Sequence, residues 1–308
     1  MSLKIVSGKI SRAVKTVIYG TEGVGKSTLA SRFPEPLFID VEGGTSQMDV
    51  KRIEAPKNWE ELLADVAEIA KNPGYCRTLV LDTADWSEGL CTAYICRKYN
   101  QKSIESFGYG KGYTYLGEEW SKLMAAFDSV IDAGMNVTII AHARQRKIEL
   151  PDQAGAFDHW EMKLSKQVAP LLKEWADLLL FLNYKTFVVT TDSNSKKAQG
   201  GKRVMYTSHN PVYDAKNRHG LPDELDLSFD GIAKIFENTE PAEPEPTPLE
   251  RLDQLMREAG ITEYQVREII CTKNGFTVDT PLEDYPDKVI AGCVKHFGKL
   301  AEQIKGEN

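Results

Sequence analysis

Gly20-Thr21-Glu22-Gly23-Val24-Gly25-Lys26-Ser27-Thr28 is the stretch that decides the fold of this chain. It fills the pattern G-x-x-x-x-G-K-[ST] at every position, and its flanks are what that pattern requires. An apolar run, Val14 to Tyr19, precedes it as a strand. A helix is expected from Lys26 to about Phe33, stopped by Pro34 and Pro36. Gly20, Gly23 and Gly25 let the backbone curl until successive N–H groups converge on phosphate oxygens, and the helix adds its positive N-terminal dipole. The pattern assigns Lys26 to the β- and γ-phosphates of ATP and the Ser27 hydroxyl to Mg2+.

Outward from that loop, short apolar runs alternate with helical patterns. Leu37 to Val41, Thr78 to Leu81, Val137 to Ala141 and Leu178 to Leu182 read as further strands. A helix opens at Asn58, where Glu61 completes a capping box, with Leu62, Leu63, Val66 and Ile69 on its apolar face and Pro73-Gly74 at its end. Another helix ends near Gly134. Such runs, joined by helices, predict a mainly parallel sheet buried on both faces, with ligands bound outside the carboxyl ends of its strands. After the fifth strand the period changes to two. Thr186 to Thr191 and Arg203 to Ser208 predict a hairpin around Asp192-Ser193-Asn194. Residues 237–250 (ENTEPAEPEPTPLE) are acidic and proline-rich and predict an extended linker. Helical periodicity returns in 251–308, so the expected organisation is an ATPase core over 1–236, a linker over 237–250 and a small all-α domain.

The polar residues that could carry chemistry fall just after strands. Asp82 closes the run Thr78 to Leu81, where a carboxylate can hold Mg2+ or cap the next helix. Glu42 follows Leu37 to Val41 and can orient or deprotonate an attacking water, with Asp40 as its rival. His142 follows the fourth strand and suits either a γ-phosphate sensor or a structural histidine. Lys216 and Arg218, in Lys216-Asn217-Arg218-His219-Gly220, fit an arginine-finger pair reaching a neighbouring subunit's phosphate, or a solvated basic turn.

In this order the pieces resemble the RecA-like ATPases. FIDVEGG is similar to the recombinase segment whose glutamate activates water, which implies that role for Glu42. LVLD resembles the Walker B strand. His142 stands where that superfamily places a polar sensor, and KNRHG resembles the KNRFG motif of the bacterial RadA branch and the finger of DnaB-type helicases. The broadest likeness is to phage-encoded ATP-binding proteins of the RecA-like single-strand annealing group. It extends to the glycine/tyrosine loop Phe107 to Tyr113, to Trp175-Ala176-Asp177 and to a helical C-terminal domain. The resemblance implies an α/β RecA-like core, ATP and Mg2+ as ligands, a homo-oligomer, and single-stranded DNA as partner. It also implies annealing or recombination in phage DNA metabolism. A DnaB-like translocase and a small-molecule kinase are the alternatives. Lys26 and Asp82 lie closer together than in full recombinases and no polymerisation domain precedes the loop, which counts against strand exchange by a RecA-type filament and puts a ring or short oligomer on an equal footing with it.

Composition bears on the partners. A net charge of −7 argues against a grip on nucleic acid by the whole surface and leaves room for a local basic track. Candidates are Arg144, Arg146 and Lys147 with Trp160 in the expected loop Ala143 to Lys163, and Lys111 in the expected loop Ser103 to Tyr115. Either loop could instead be a lid over ATP. The C-terminal domain is a candidate seat for a single-strand-binding protein. No apolar run is long enough for a bilayer and Met1-Ser2-Leu3-Lys4 is unlike a signal peptide. Five scattered cysteines suit reduced thiols. The expected setting is cytoplasmic, in the bacterial host if the gene is phage-borne.

Overall fold

The computed structural model describes residues 8, 12–149, 155–190, 196–237 and 247–306. The chain divides into two compact units, Met1–Glu243 and Pro244–Asn308.

In the first unit the sheet is built on β1 (Lys15–Gly20), whose last five residues are buried. The other strands are β2 (Pro36–Asp40), β3 (Lys51–Arg52), β4 (Thr78–Asp82), β5 (Asn136–Glu149), β6 (Ala156–Met162), β7 (Leu178–Thr190), β8 (Lys196–Tyr206), β9 (Lys216–Asn217) and β10 (Glu224–Asp226). Their order is β10-β8-β7-β1-β5-β4-β2-β3, with β6 on β5 and β9 on β7. From β7 to β3 the sheet is parallel, and β8 and β10 add antiparallel strands at one side. The parallel strands are buried on both faces because helices cover them, which is why their sequences run apolar without alternation. The helices are α1 (Lys26–Ala30), α2 (Trp59–Lys71), α3 (Ala84–Lys98), α4 (Lys111–Asp132) and α5 (Val168–Trp175). The Asn58 side chain accepts from the Glu61 N–H and the Glu61 carboxylate accepts from the Lys57 N–H, so α2 begins where its cap residues place it. Trp59 on α2 stacks on Trp120 of α4, with centroids 5.6 Å apart, under the main apolar core.

Several local expectations change. The first helix stops at Ala30, short of Phe33. The fifth strand and the first hairpin strand are one strand, β7, paired antiparallel with β8; the turn 191–195 lies outside the described residues. Ala143 to Lys163, expected as a loop, is largely a two-stranded arm: β5 runs past His142 and pairs with β6 from Ala143↔Met162 to Glu149↔Ala156. Most of Ser103 to Tyr115 is helical, because α4 starts at Lys111 and only Gly108 to Gly110, all three at positive φ, form an open turn.

The second unit holds α6 (Pro248–Ala259), α7 (Glu263–Asn274), α8 (Asp287–Lys295) and α9 (Phe297–Lys305). Leu252, Met256, Val266, Ile290 and Leu300 lie in its own core. Helix α6 begins inside the expected linker, because Thr247 and Glu250 form a capping box with Pro248 at the first helical position. Most of the linker, 238–246, lies outside the described residues. Among the described residues no helix is long and apolar enough to cross a membrane.

Candidate active site

Strand register builds the site. Gly20 stands between His142 of β5 and Leu182 of β7, and Asp82 lies between Asp40 of β2 and Ile140 of β5. β1, β2 and β4 therefore end together, level with His142 of the continuing β5, and the side chains at and just after these positions share one edge of the sheet. Gly20 admits no side chain: a Cβ there would lie 2.4 Å from the Leu182 carbonyl oxygen. Gly25, at φ +109°, turns the chain into α1.

The loop surrounds Lys26, which is only 7% exposed and donates to the carbonyls of Gly20 (3.2 Å) and Thr21 (3.0 Å). Burial lowers its pKa, and the carboxylates of Asp82, Asp85, Glu42 and Glu22 oppose that shift. The Ser27 hydroxyl donates to Asp82 Oδ2 at 2.6 Å. Burial lifts the Asp82 carboxyl to about 6; the Ser27 bond and Lys26 oppose the rise, while Asp40 and Glu42 add to it. A hydroxyl and a carboxylate held this close, both hard oxygen donors, fit Mg2+. Bound there, the ion would neutralise phosphate charge.

Asp40 and Glu42 separate into two roles. Asp40 is buried and accepts from the N–H groups of Gly43 (2.8 Å), Gly44 (3.1 Å) and Thr45 (2.9 Å) and from the Thr45 hydroxyl. Its lone pairs are taken by the turn, so it shapes the loop and is not free to act as a base. Glu42 is tied through its N–H to the Asp82 carbonyl (3.3 Å), and its carboxylate faces the phosphate cavity. Across from it stands His142, whose Nε2 is 3.9 Å from Glu42 Oε1. Glu42, Asp82, His142 and the loop residues Lys26 and Ser27 line one cavity of about 290 Å3.

Sequence reasoning missed Asp85. Its carboxylate accepts from the His142 N–H (3.1 Å) and meets the ring Nδ1 at 2.9 Å. That bond raises the histidine pKa, against its partial burial, and leaves Nε2 as the nitrogen facing the cavity. Burial alone would raise Asp85; the His142 bonds outweigh it and hold the carboxyl low. An acid in the first turn of a helix reads as dipole compensation, so only the fold shows this pairing.

A scan of protein families matches residues 12–219, more than half of the chain, to AAA_24, an AAA domain. The chain belongs to this AAA domain family. Its loop and mainly parallel sheet are those of a P-loop ATPase. A curated relative, the SPbeta prophage-derived uncharacterized protein YorG of Bacillus subtilis (strain 168), is 24% identical over 159 residues, which are 48% of this chain and 48% of that protein. The chain thus spans about half the length of this relative. Among solved structures, flagellar accessory protein FlaH from Methanocaldococcus jannaschii is similar over 65% of this chain and 87% of that one, at 11% identity and a TM-score of 0.33.

The remaining candidates lie elsewhere on this AAA domain. Lys216 and Arg218 do not join the phosphate loop of their own chain. Strand β9 pairs with Leu178 and Leu179 at the start of β7, about 13 Å along the strand from Leu182. There Lys216 donates to the last carbonyls of α5, Lys173 (3.0 Å) and Glu174 (2.9 Å), while Arg218 donates to Asp177 (2.8 Å). Asp177 also holds Arg12 at 3.3 Å. On the arm, Arg144 is paired with Glu161 at 2.9 Å, whereas Arg146 approaches Glu161 only to 3.9 Å. Lys147 is exposed and has no ion-pair partner among the described residues. Trp160 is not a free stacking platform: it is half-buried, tilted against Phe181 at 5.9 Å, and its backbone N–H donates to the Val212 carbonyl. Lys111 stands over the Tyr115 ring at 5.5 Å, in a helix and not in a loop.

Proposed function

We propose that this P-loop ATPase is an ATP-dependent single-stranded DNA-binding protein that promotes annealing or recombination in phage DNA metabolism, and hydrolyses ATP at a subunit interface. One observation carries the reading. Strand β5 passes without a break from the sheet, through His142 at the phosphate cavity, into an exposed arm that displays Arg146 and Lys147. A change felt by His142 at the γ-phosphate is therefore a change at the root of a basic arm, and a phosphate backbone is what exposed, lightly paired cations take. Lys26 holds the phosphates, Ser27 and Asp82 hold Mg2+, and Glu42 takes the proton of the attacking water. Arg218, with Lys216, would act on the site of the next copy, since both lie at the end of the sheet away from their own loop.

The test is the ATPase rate with and without single-stranded DNA, with particle size measured in each nucleotide state. DNA should raise the rate, and Arg146→Glu with Lys147→Glu should remove the stimulation while leaving the DNA-free rate within about twofold. Equal DNA affinity without nucleotide, with ATP and with ADP would sink the proposed coupling. Phosphoryl transfer to a metabolite, unaffected by DNA, would favour the kinase alternative.

A further inference from the structure

A groove of about 690 Å3 lies wholly within the second unit, bordered by α7, α8 and α9. Its floor is formed by Ile269, Ile270, Val289, Cys293 and Leu300. Ile269, Val289 and Cys293 pack on the unit's core yet stay half-buried, so apolar surface is left open in the groove. Gly292 completes the floor from the interior of α8, where glycine weakens a helix relative to alanine. A Cβ at Gly292 would meet no atom within 4 Å, so packing inside the unit does not call for glycine. Its missing side chain leaves room in the groove instead.

The rim has one sign of charge. Lys288, His296 and Lys299 are exposed and line the groove, and no acidic residue lines it, although the chain has a net charge of −7. Neither Lys288 nor Lys299 has a carboxylate within ion-pair distance among the described residues. Lys299 stands in the first turn of α9, a turn that holds no acid and whose cap residue, His296, makes no side-chain cap bond. The helix dipole already favours an anion there, and the lysine adds a field of the same sign.

We propose that this groove binds an acidic, amphipathic peptide segment of another protein. Apolar side chains of that segment lie on the floor, one of them over Gly292, and its carboxylates meet Lys288 and Lys299. Charge complementarity selects this occupant. All the lining residues belong to helices or to the cap between α8 and α9, so the groove offers no strand edge and side chains carry the contact. Nucleic acid would meet the cations but find no aromatic side chain on which to stack its bases. The chain's own acidic stretch, 237–250, has no apolar side chain larger than proline before Leu249, and Leu249 packs on the unit's core.

Fluorescence anisotropy on the full chain tests this, with a labelled peptide of about sixteen residues in which Glu and Asp surround Leu and Phe spaced three and four apart. Two control peptides keep the length: one carries Lys in place of the acids, the other Ser in place of Leu and Phe. The acidic amphipathic peptide should bind at least about tenfold more tightly than either control. Lys288→Glu with Lys299→Glu should reverse the preference between the acidic and the basic peptide. Gly292→Leu should weaken the acidic peptide about tenfold while the melting temperature holds or rises, since leucine is the better helix former. If Gly292→Leu melts early, the charge-reversed variant at exposed positions decides the question. Equal binding of the three peptides, no binding of the acidic one, or an unchanged preference after charge reversal would overturn the proposal. So would a labelled oligothymidine that binds through the same lysines and displaces the peptide, which would make the groove a phosphate track. A particle size that falls in Gly292→Leu would make a second copy of this chain the occupant and would overturn it as well.

Discussion

Asp82 is a carboxylate kept where burial disfavours its charge. Its pKa rises from 3.8 to about 6, so between those values the folded protein holds a proton that the unfolded chain has released. Stability therefore falls as pH rises through that window, and the cost is complete above it. Asparagine removes the charge and keeps an oxygen for Ser27. In EDTA, Asp82→Asn should raise the melting temperature at pH 8 by about 5 °C, on the order of 2 kcal/mol, and lose that advantage near pH 4. The same variant should lose ATPase activity. Calorimetric melts at both pH values check this, and a difference independent of pH would refute the burial account. At this scale the placement of Lys26 and Ser27 at the cavity was legible because the loop motif fixes their spacing, and that of Asp82 because it closes an apolar run. The choice between Asp40 and Glu42 was not. Three N–H groups and a hydroxyl turn back onto Asp40 and leave Glu42 as the carboxylate at the cavity, and those contacts exist only once the turn is formed.

Helix α3 starts just after β4, and two of its acids reach outward to other elements. Asp85 holds His142, and Glu88 accepts from the Ser165 N–H at 3.0 Å, just beyond the arm. The helix thus spans the root of the arm, since the Lys163 N–H also donates to the His142 carbonyl at 2.7 Å. Asp85→Asn should lower kcat about ten- to hundredfold with KM for ATP nearly unchanged, because it frees the imidazole without touching the phosphate loop. The pair also has a pH signature. His142 is raised above its ordinary 6.5, so its stabilisation is present in full below that value and is lost as pH rises through the folded pKa. The variant should be more destabilised at pH 6 than at pH 9, and the imidazole titration followed by NMR should fall back toward 6.5. A KM increase with unchanged kcat would assign Asp85 to binding instead. The elements themselves were legible where apolar runs were long. They were misread at the arm, where exposed polar residues give no periodicity until a partner strand supplies the other face, and at the start of α4, where glycines such as Gly112 read as loop but pack closely in the fold.

For the whole molecule, the sheet has a phosphate-loop end and a Lys216/Arg218 end. In the proposed oligomer, copies meet head to tail, so each site draws its loop from one chain and its finger from the next. Lys26→Ala keeps the finger and loses the loop; Arg218→Ala does the reverse and should still bind ATP. Each should be inactive alone. Mixed in equal amounts they should regain activity at roughly a quarter of interfaces, the share in which an intact loop meets an intact finger at random. A mixture as dead as its components would refute a finger acting between subunits. The outermost strands of the sheet, β10 and β3, have only three and two residues. Edges that short offer little to pair with, so growth along the sheet is a poor rival to stacking of its ends. This polarity makes activity a census of closure. An open row of n copies holds n − 1 complete sites, whereas a closed ring holds n, so turnover per chain should climb with assembly size and level off when the ring shuts.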